Sequence, residues 1–150
     1  DTSGKTALMH AAQKSSPDIV DFLINNGADV NAKTLNDVTA LHYAARNKKS
    51  EIVRILIENG ANIDGKDFSG FTPLMRAITN KKFNNFEILL QSGSDPYIQN
   101  NNSIGLNLLN YKKSIVIETL KHIKELAKNV YIIDDHSIGN RNNNLHKPKF

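Results

Sequence analysis

The sequence contains no cysteine, and it has no run of about 18 apolar residues. Without cysteine the chain can form neither a disulfide nor a thiolate metal site, which fits a reducing compartment. Without a long apolar run we expect no insertion into a membrane. The chain also opens on Asp1 instead of the basic and then apolar segment of a secretory signal. We therefore predict an intracellular, cytoplasmic protein, or one that acts in the host-cell cytoplasm if it is a secreted effector.

The motifs of common active sites are also missing. There is no glycine-rich phosphate loop, no H-E-x-x-H and no G-x-S-x-G. The five histidines share no metal-ligand spacing. The sequence therefore predicts no enzyme activity, no metal, no cofactor and no small-molecule substrate.

The composition that is present suits a globular domain, with 39% hydrophobic and 23% charged residues. The net charge of +4 is unevenly distributed. Residues 1–100 hold eleven basic and eleven acidic residues, whereas residues 101–150 hold eight and four. The basic end could touch an acidic partner, although a solvated, weakly charged end is the simpler interpretation.

A period of 33 residues organises the first 99 residues. The segments TALMHAA, TALHYAA and TPLMRAI occupy the same place in three successive units, and DIVDFLI, EIVRILI and NFEILL follow them. Self-similarity at this period predicts a stacked repeat architecture. The residues that recur 33 apart are Thr6, Thr39 and Thr72, then Leu8, Leu41 and Leu74, then Ala11, Ala44 and Ala77, and finally Gly27, Gly60 and Gly93.

Each unit predicts two helices followed by an extended turn. The threonine is suited to the N-cap of a short first helix, because its hydroxyl accepts a hydrogen bond from a free backbone N–H. The second helix follows from an apolar stripe at helical spacing. A glycine then ends it where a left-handed residue is favoured. The two stripes are formed by Ile19, Val20, Leu23 and Ile24 and by Ile52, Val53, Leu56 and Ile57.

These segments resemble an ankyrin repeat array. The three first-helix segments match the T-P-L-H-x-A-A core of that family, and IVDFLINNGADVNA and IVRILIENGANIDG match its second helix and finger. The resemblance implies an all-α solenoid of stacked helix-turn-helix units with extended finger turns. Its repeats would span about residues 1–33 (repeat 1), 34–66 (repeat 2) and 67–99 (repeat 3).

The remaining residues depart from the pattern. We interpret residues 100–129 as a diverged capping repeat, because a long helix with a charged outer face begins near Ser114 and would shield the core. The repeat domain would then cover residues 1–129. Residues 130–150 are polar and rich in asparagine, and are predicted to form a flexible tail.

Two internal departures affect the repeats themselves. Asp37 stands where the other units have Gly4 and Gly70, so we expect a looser finger in repeat 2. Asn85 stands in repeat 3 where the other two units have isoleucine. We expect the larger Phe83 and Phe86 to refill the volume that isoleucine would occupy.

His42 and Asn31 are the two residues that invite a chemical role. The resemblance makes His42 the histidine of T-P-L-H, a scaffold residue that bonds near the threonine and the adjoining turn. Met9 and Met75 stand at the equivalent positions, which argues against a required ligand. Asn31 resembles the acceptor of asparaginyl hydroxylase in LINNGADVN, although an asparagine that only satisfies its own turn is the simpler interpretation.

The resemblance also implies protein recognition by the finger tips and by the exposed end of each first helix. Leu35, Val38, Phe68 and Phe71 are apolar residues on predicted tips, where they would serve as interface anchors. The alternative is that Phe68 and Phe71 pack against the neighbouring finger. The full set of predicted contact residues is Lys33, Leu35, Asn36, Val38, Arg46, Asn47, Lys66, Phe68, Ser69, Phe71, Thr79 and Asn80.

Lysines recur near the turn between the two helices of each unit. In a stack with helices roughly 10 Å apart they would form a basic ridge that steers an acidic partner. The alternative is that these lysines only fill solvent-exposed turns. The ridge would consist of Lys14, Lys48, Lys49, Lys81, Lys82, Lys112 and Lys113.

Three functions remain open on the sequence alone. The favoured hypothesis is a non-enzymatic protein–protein interaction scaffold with a protein partner, which would be acidic if the basic ridge takes part in binding. The second is the targeting or substrate-recognition part of a larger enzyme or secreted effector. The third is binding of nucleic acid or an acidic membrane surface by the basic ridge, which the lack of aromatic residues among the lysines disfavours. Because Leu8, Ala11 and Ile19 resemble internal positions, we also expect the chain to belong to a longer array.

Overall fold

The computed structural model describes residues 1–14 and 16–101, together with Lys121 and Glu125. The chain divides into two compact units, Asp1–Leu106 and Asn107–Phe150. In the second unit, Lys121 and Glu125 are helical and exposed. Apart from these two residues and positions 100 and 101, the predicted capping repeat and the predicted tail lie outside the described residues.

Six α-helices lie within residues 1–14 and 16–101. They form three consecutive pairs, and the two helices of each pair pack on each other. The first helices of the pairs pack side by side in one layer, and the second helices pack side by side in another. This arrangement confirms the predicted all-α stack of helix-turn-helix units. The pairs are α1 (Ala7–Lys14) with α2 (Pro17–Asn25), α3 (Ala40–Ala45) with α4 (Ser50–Glu58), and α5 (Pro73–Thr79) with α6 (Phe83–Gln91).

Helix starts and ends follow the predicted chemistry. Thr39 and Thr72 are the N-caps of α3 and α5, and the Thr72 hydroxyl accepts from the Met75 N–H at 3.3 Å. Gly27, Gly60 and Gly93 follow α2, α4 and α6 with φ values of +87°, +83° and +92°. A side chain at those φ values would be strained, so glycine ends each second helix at low cost.

The core lies between the two helix layers. In the inner layer Leu8, Leu41 and Leu74 are at most 1% exposed, as the repeat pattern predicts. The small side chains of Ala12 and Ala45 are fully buried beside them and let neighbouring helices approach closely. Within the described residues, no helix is long and apolar enough to cross a membrane.

The predicted stripe of α2 is only partly buried. Val20 is fully buried, but Leu23 and Ile24 are half-buried and Ile19 is 47% exposed. In α4 the equivalent Ile52 is fully buried, because α4 packs between α2 and α6. The apolar stripe of repeat 1 is therefore less completely buried than that of repeat 2, because α2 packs on one neighbouring second helix in the described residues whereas α4 packs on two.

Asn85 is buried at the isoleucine position, where it is 1% exposed, and Phe86 is also buried, at 8% exposed. Its Nδ2 donates to the carbonyl oxygens of Ala44 (3.1 Å), Ala45 (3.0 Å) and Asn47 (2.6 Å). These carbonyls belong to the end of α3 and the turn after it, where oxygens lack intrahelical partners. The amide therefore caps a helix of the preceding repeat.

Candidate functional site

Each finger is closed by a polar side chain at its base. Asp67 Oδ1 accepts from the backbone N–H groups of Ser69 and Phe71, both at 3.0 Å. Thr34 Oγ1 does the same in repeat 2 for Asn36 and Val38, at 3.3 and 3.1 Å. These bonds hold each turn from within its own repeat.

Backbone bonds then join each finger to the next. The Leu35 N–H donates to the Ser3 carbonyl at 3.0 Å, and the Phe68 N–H donates to the Asn36 carbonyl at 2.9 Å. The Asn101 N–H repeats the pattern on the Ser69 carbonyl at 3.2 Å. Because the donors are spaced 33 residues apart, the bonds fix the register of successive fingers and leave the donor side chains outside.

Two of the predicted tip anchors are strongly exposed. Leu35 is 78% and Phe68 71% exposed, and they occupy equivalent positions on adjacent fingers. Val38 and Phe71 are only half-buried, and they lie nearer the base of each finger. The structure thus separates the four predicted anchors into an outer pair and an inner pair.

Phe71 has contacts within the stack. The guanidinium carbon of Arg76 lies 4.4 Å from the centre of its ring, a cation–π distance. The same guanidinium is held by the buried Asp67 carboxylate, with Nε 3.0 Å from Oδ2. The Phe71 carbonyl also accepts from His42 at 2.9 Å. Phe71 therefore helps to hold the finger in place through these contacts, in addition to forming part of the finger surface.

The other predicted finger residues are polar and accessible. Lys33 Nζ lies 3.2 Å from Asp37 Oδ1 across a solvent-exposed turn. Asp37 has a φ of +56°, the left-handed conformation that its place in the sequence predicts. The remaining three, all exposed, are Asn36, Lys66 and Ser69.

The predicted residues at the ends of the first helices have mixed roles. Arg46 is exposed, and the Thr79 hydroxyl donates to the Met75 carbonyl at 2.6 Å. Asn47 Nδ2 caps α1 by donating to the Gln13 carbonyl at 2.6 Å, and Asn80 Nδ2 caps its own helix through the Arg76 carbonyl at 2.7 Å. The amide nitrogens of both asparagines therefore already have structural partners.

Tyr43 is a surface residue that the sequence reasoning missed. It lines a shallow polar cleft of about 190 Å³ with Arg46 and Asn80, and Lys5 Nζ lies 4.2 Å from the centre of its ring. Tyr43 stands at the variable position of T-P-L-H-x-A-A, equivalent to His10 and Arg76. The signal that could have found it is an aromatic residue at a position where the repeats differ.

Part of the predicted basic ridge converges on one cleft. Lys48, Lys81 and Lys82 line a cleft of about 330 Å³ between the helix-connecting turns of repeats 2 and 3. Lys81 has a φ of +55°, a conformation that is uncommon for lysine. The lining contains no acidic residue. Lys14 and Lys49 are exposed and are absent from this lining, and Lys112 and Lys113 lie outside the described residues.

Asn31 joins two neighbouring fingers. Its Nδ2 donates to the Gly60 carbonyl at 2.9 Å, and its Oδ1 accepts from the Asn62 N–H at 2.7 Å. Both ends of the amide therefore bond to repeat 2, a larger role than satisfying its own turn. Hydroxylation of Asn31 stays a prediction.

His42 is fully buried and bonded at both ring nitrogens. Nδ1 accepts from the Thr39 N–H at 3.2 Å and lies 2.8 Å from the Thr39 hydroxyl. Nε2 therefore carries the proton and donates to the Phe71 carbonyl in the next repeat. Burial lowers the pKa of His42, so the neutral ring is favoured at physiological pH. These contacts tie repeat 2 to repeat 3.

The part of the chain that the structure describes holds no cluster of three or more histidine, aspartate or glutamate side chains that could bind a metal. The aspartates at the start of the fingers serve backbone bonds instead. Asp29 Oδ1 accepts from the Asn31 N–H, and Asp64 Oδ1 accepts from the Ser94 hydroxyl and the Asp95 N–H.

Comparison with known families matches this architecture. A family model described as ankyrin repeats, in three copies, matches residues 1–34 and 8–100. The matched stretch contains the six helices and the fingers between them. No curated protein is similar enough to this chain to be matched.

Proposed function

The chain belongs to the ankyrin repeat family, and from this premise we propose that it is a non-enzymatic scaffold that binds a partner protein through its finger tips and concave helix surface. Ankyrin repeats are generally protein–protein interaction modules, and the family is typically non-catalytic. The alternative is that the array targets a larger enzyme or a secreted effector to its substrate. That role would use the same binding surface.

The observation that carries the proposal is the pair of exposed apolar tips. Leu35 and Phe68 are 78% and 71% exposed, although each is held in place by a backbone bond to the preceding finger. A rigid backbone with an exposed apolar side chain is preorganised for binding, because little conformational entropy is lost on association. Aromatic residues held in this way are favoured interface anchors.

The test compares two phenylalanines of similar exposure on different faces. Phe68→Ser removes a tip, whereas Phe22→Ser removes a side chain that is 65% exposed on α2. A protein captured with the wild-type chain is purified and titrated by calorimetry against each variant. We expect Phe68→Ser to weaken binding by about 1–3 kcal/mol and Phe22→Ser to leave it nearly unchanged.

Equal affinities for wild type and for a Leu35→Ser/Phe68→Ser double variant would contradict the tip assignment. The binding surface would then be restricted to the ends of the first helices, where Arg46 and Tyr43 line the cleft of about 190 Å³. An Arg46→Ala variant in the same titration distinguishes these outcomes.

A second candidate function is recognition of an acidic protein segment by the lysine cleft. Lys48, Lys81 and Lys82 share this cleft without an acidic residue among its lining residues. Attraction there would be long-ranged and would fall steeply with salt. We expect Lys81→Gln/Lys82→Gln to weaken binding of a polyglutamate peptide and to flatten its salt dependence, whereas Arg54→Gln, at an exposed position of α4 outside the cleft, should have little effect. Stronger binding of single-stranded DNA than of the peptide would instead favour nucleic acid.

A further inference from the structure

The lysine cleft lies at the start of α6. Its lining, around a volume of about 330 Å³, includes Lys48 from the turn before α4 and both Lys81 and Lys82 from the turn before α6. Asn84 and Asn85, in the first turn of α6, also belong to the lining. The first backbone N–H groups of a helix lack intrahelical acceptors and carry the positive end of the helix dipole. Three lysines and a helix start therefore contribute positive charge to one cleft.

The start of α6 has no acidic residue of its own. α2 and α4 carry Asp18 and Glu51 as their second residues, where a carboxylate stabilises the start of a helix. α6 has the neutral, exposed Asn84 at the equivalent position, and the side chain of its N-cap residue Lys82 makes no capping hydrogen bond. An anion bound in the cleft would supply to α6 the negative charge that Asp18 and Glu51 supply to α2 and α4.

Asn85 adds a buried acceptor without a partner to the lining. It is 1% exposed, and its Oδ1 has no hydrogen-bond partner among the described residues. Nδ2 of the same amide donates to three carbonyls at the end of α3 and in the turn after it, so Oδ1 is turned away from them. A buried amide oxygen without a donor is costly. A ligand with both anionic oxygens and a donor hydrogen, such as a peptide N–H, therefore matches the lining better than an anion that only accepts.

The cations of the lining are all lysines, and the lining contains no acidic residue that would compete for them. Arginine has a planar guanidinium that matches a planar carboxylate in two parallel hydrogen bonds, whereas lysine is a compact point charge that binds phosphate. A phosphate monoester carries about two charges and three acceptor oxygens, while a carboxylate carries one charge and two oxygens. Three ammonium groups around one volume are therefore better matched by a phosphate monoester than by a carboxylate.

We propose that the lysine cleft binds a phosphate monoester on a protein segment, with the phosphate among Lys48, Lys81 and Lys82 at the start of α6 and a backbone N–H of the segment beside Asn85. This inference rests on the second candidate function, recognition of an acidic segment by this cleft. It makes phosphorylation of the segment the signal for binding. It is independent of the finger tips, because the three lysines lie in the turns between helices of a pair.

The experiment titrates the full chain by calorimetry with short glycine–serine peptides that differ only in the central residue, which is phosphoserine, glutamate or serine. We expect the phosphoserine peptide to bind about tenfold more tightly than the glutamate peptide, because its extra charge and oxygen add a charge-assisted hydrogen bond. The serine peptide should show no measurable binding, since it brings no charge to the cleft.

The pH dependence of binding separates phosphate from carboxylate. The second pKa of a phosphate monoester is about 6, whereas that of a glutamate side chain is about 4.3. We expect the affinity for the phosphoserine peptide to rise up to about tenfold between about pH 5 and pH 7.5, as the phosphate gains its second charge. The affinity for the glutamate peptide should change little. The lining residues include no histidine or carboxylate that would titrate in this range.

Variants of the cleft locate the phosphate. Lys81→Gln/Lys82→Gln should weaken binding of the phosphoserine peptide about tenfold, whereas Arg54→Gln, on the exposed side of α4 outside the cleft, should leave it unchanged. Asn84→Glu copies Glu51 of repeat 2 and places a carboxylate at the start of α6. Because a carboxylate stabilises a helix start, this variant should lose phosphopeptide binding while its urea midpoint stays at or above that of the wild type. Such a loss cannot come from unfolding.

Equal affinities for the phosphoserine and glutamate peptides, both weakened by Lys81→Gln/Lys82→Gln, would overturn the phosphate assignment and leave recognition of acidic segments in place. Binding of neither peptide would overturn both. Phosphopeptide binding that Lys81→Gln/Lys82→Gln and Asn84→Glu leave unchanged would place the phosphate outside the cleft and also overturn the proposal. Tighter binding of single-stranded DNA or of phosphoinositide vesicles than of the phosphoserine peptide would assign the cleft to nucleic acid or lipid instead of a protein segment.

Discussion

Helices α2 and α4 carry nearly the same apolar stripe but bury it differently. Val20 and Val53 are both fully buried. Ile19 is 47% exposed and Ile52 is 0% exposed, because α4 packs between α2 and α6, whereas α2 packs on α4 alone among the second helices in the described part of the chain. A repeat stack is held by contacts between neighbouring repeats. The residue type therefore determines which positions can be buried, and the presence of a neighbouring repeat determines which of them are buried.

The largest expected effect comes from the interior of repeat 2. Leu41→Ala should reduce the free energy of unfolding by about 2–5 kcal/mol, because it leaves a cavity between helices on both sides. Phe68→Ala, on an exposed tip of repeat 3, should change it by less than about 0.5 kcal/mol. Urea denaturation of both variants measures the difference, and similar losses would mean that the tip is part of the core.

The contacts between repeats can be weakened separately from the apolar core. Asn85→Ala should cost about 1–3 kcal/mol, because the Ala45 and Asn47 carbonyls, at the end of α3 and in the turn after it, lose a donor. Asn80→Ala is the matched control, since its amide caps only its own helix and is half-buried. If chemical denaturation gave equal losses for the two, Asn85 would not couple repeats 2 and 3.

Removing one methyl group tests the comparison of the two helices directly. Ile52→Val should cost about 0.5–1.5 kcal/mol, the usual value for a buried isoleucine. Ile19→Val should cost much less, because that side chain is nearly half exposed. Both changes conserve helix propensity closely, so urea midpoints report burial. A loss of stability at Ile19 as large as that at Ile52 would contradict the conclusion that burial at this position depends on the neighbouring helices.

The smallest effect is a change in pH dependence. Burial lowers the pKa of His42 in the folded state below the ordinary histidine value of 6.5. The stabilisation by the neutral ring is therefore complete above pH 6.5 and is lost as the pH falls below it toward the folded pKa. His42→Met, which copies Met9 and Met75, should remove this part of the pH dependence. Urea midpoints measured between about pH 5 and 8 report this pH dependence. If the slope of the midpoint against pH were the same in wild type and variant, the pH dependence would come from other titratable groups.

Much of the finger backbone geometry could be predicted from the sequence, but the exposure of the finger side chains could not. Asp37 stands where the other repeats have Gly4 and Gly70, and it has a φ of +56° beside their +76° and +78°. Phe68 and Phe71 were indistinguishable as apolar residues on one predicted tip, yet one is 71% exposed and the other is half-buried beside Arg76. That difference depends on a side chain in the following helix and on His42 of the preceding repeat.

Asn85 is a core residue whose contacts the sequence also did not predict. A polar residue at an isoleucine position predicted a gap that phenylalanines would refill. The structure adds that the Asn85 amide donates to carbonyls about 40 residues earlier in the chain, where α3 ends. No local pattern specifies this bond, because the acceptors become available only when the two repeats are stacked.

The sequence by itself determined the repeat period, the two helices of each repeat and the glycine that ends the second. These features depend on capping chemistry, helical spacing and left-handed φ values, all of which act within a few residues. Only the tertiary structure decided that Ile19 is exposed where Ile52 is buried, and that Phe68 rather than Phe71 forms the tip. Burial at those positions is set by contacts with neighbouring fingers and helices, which lie far away in the chain.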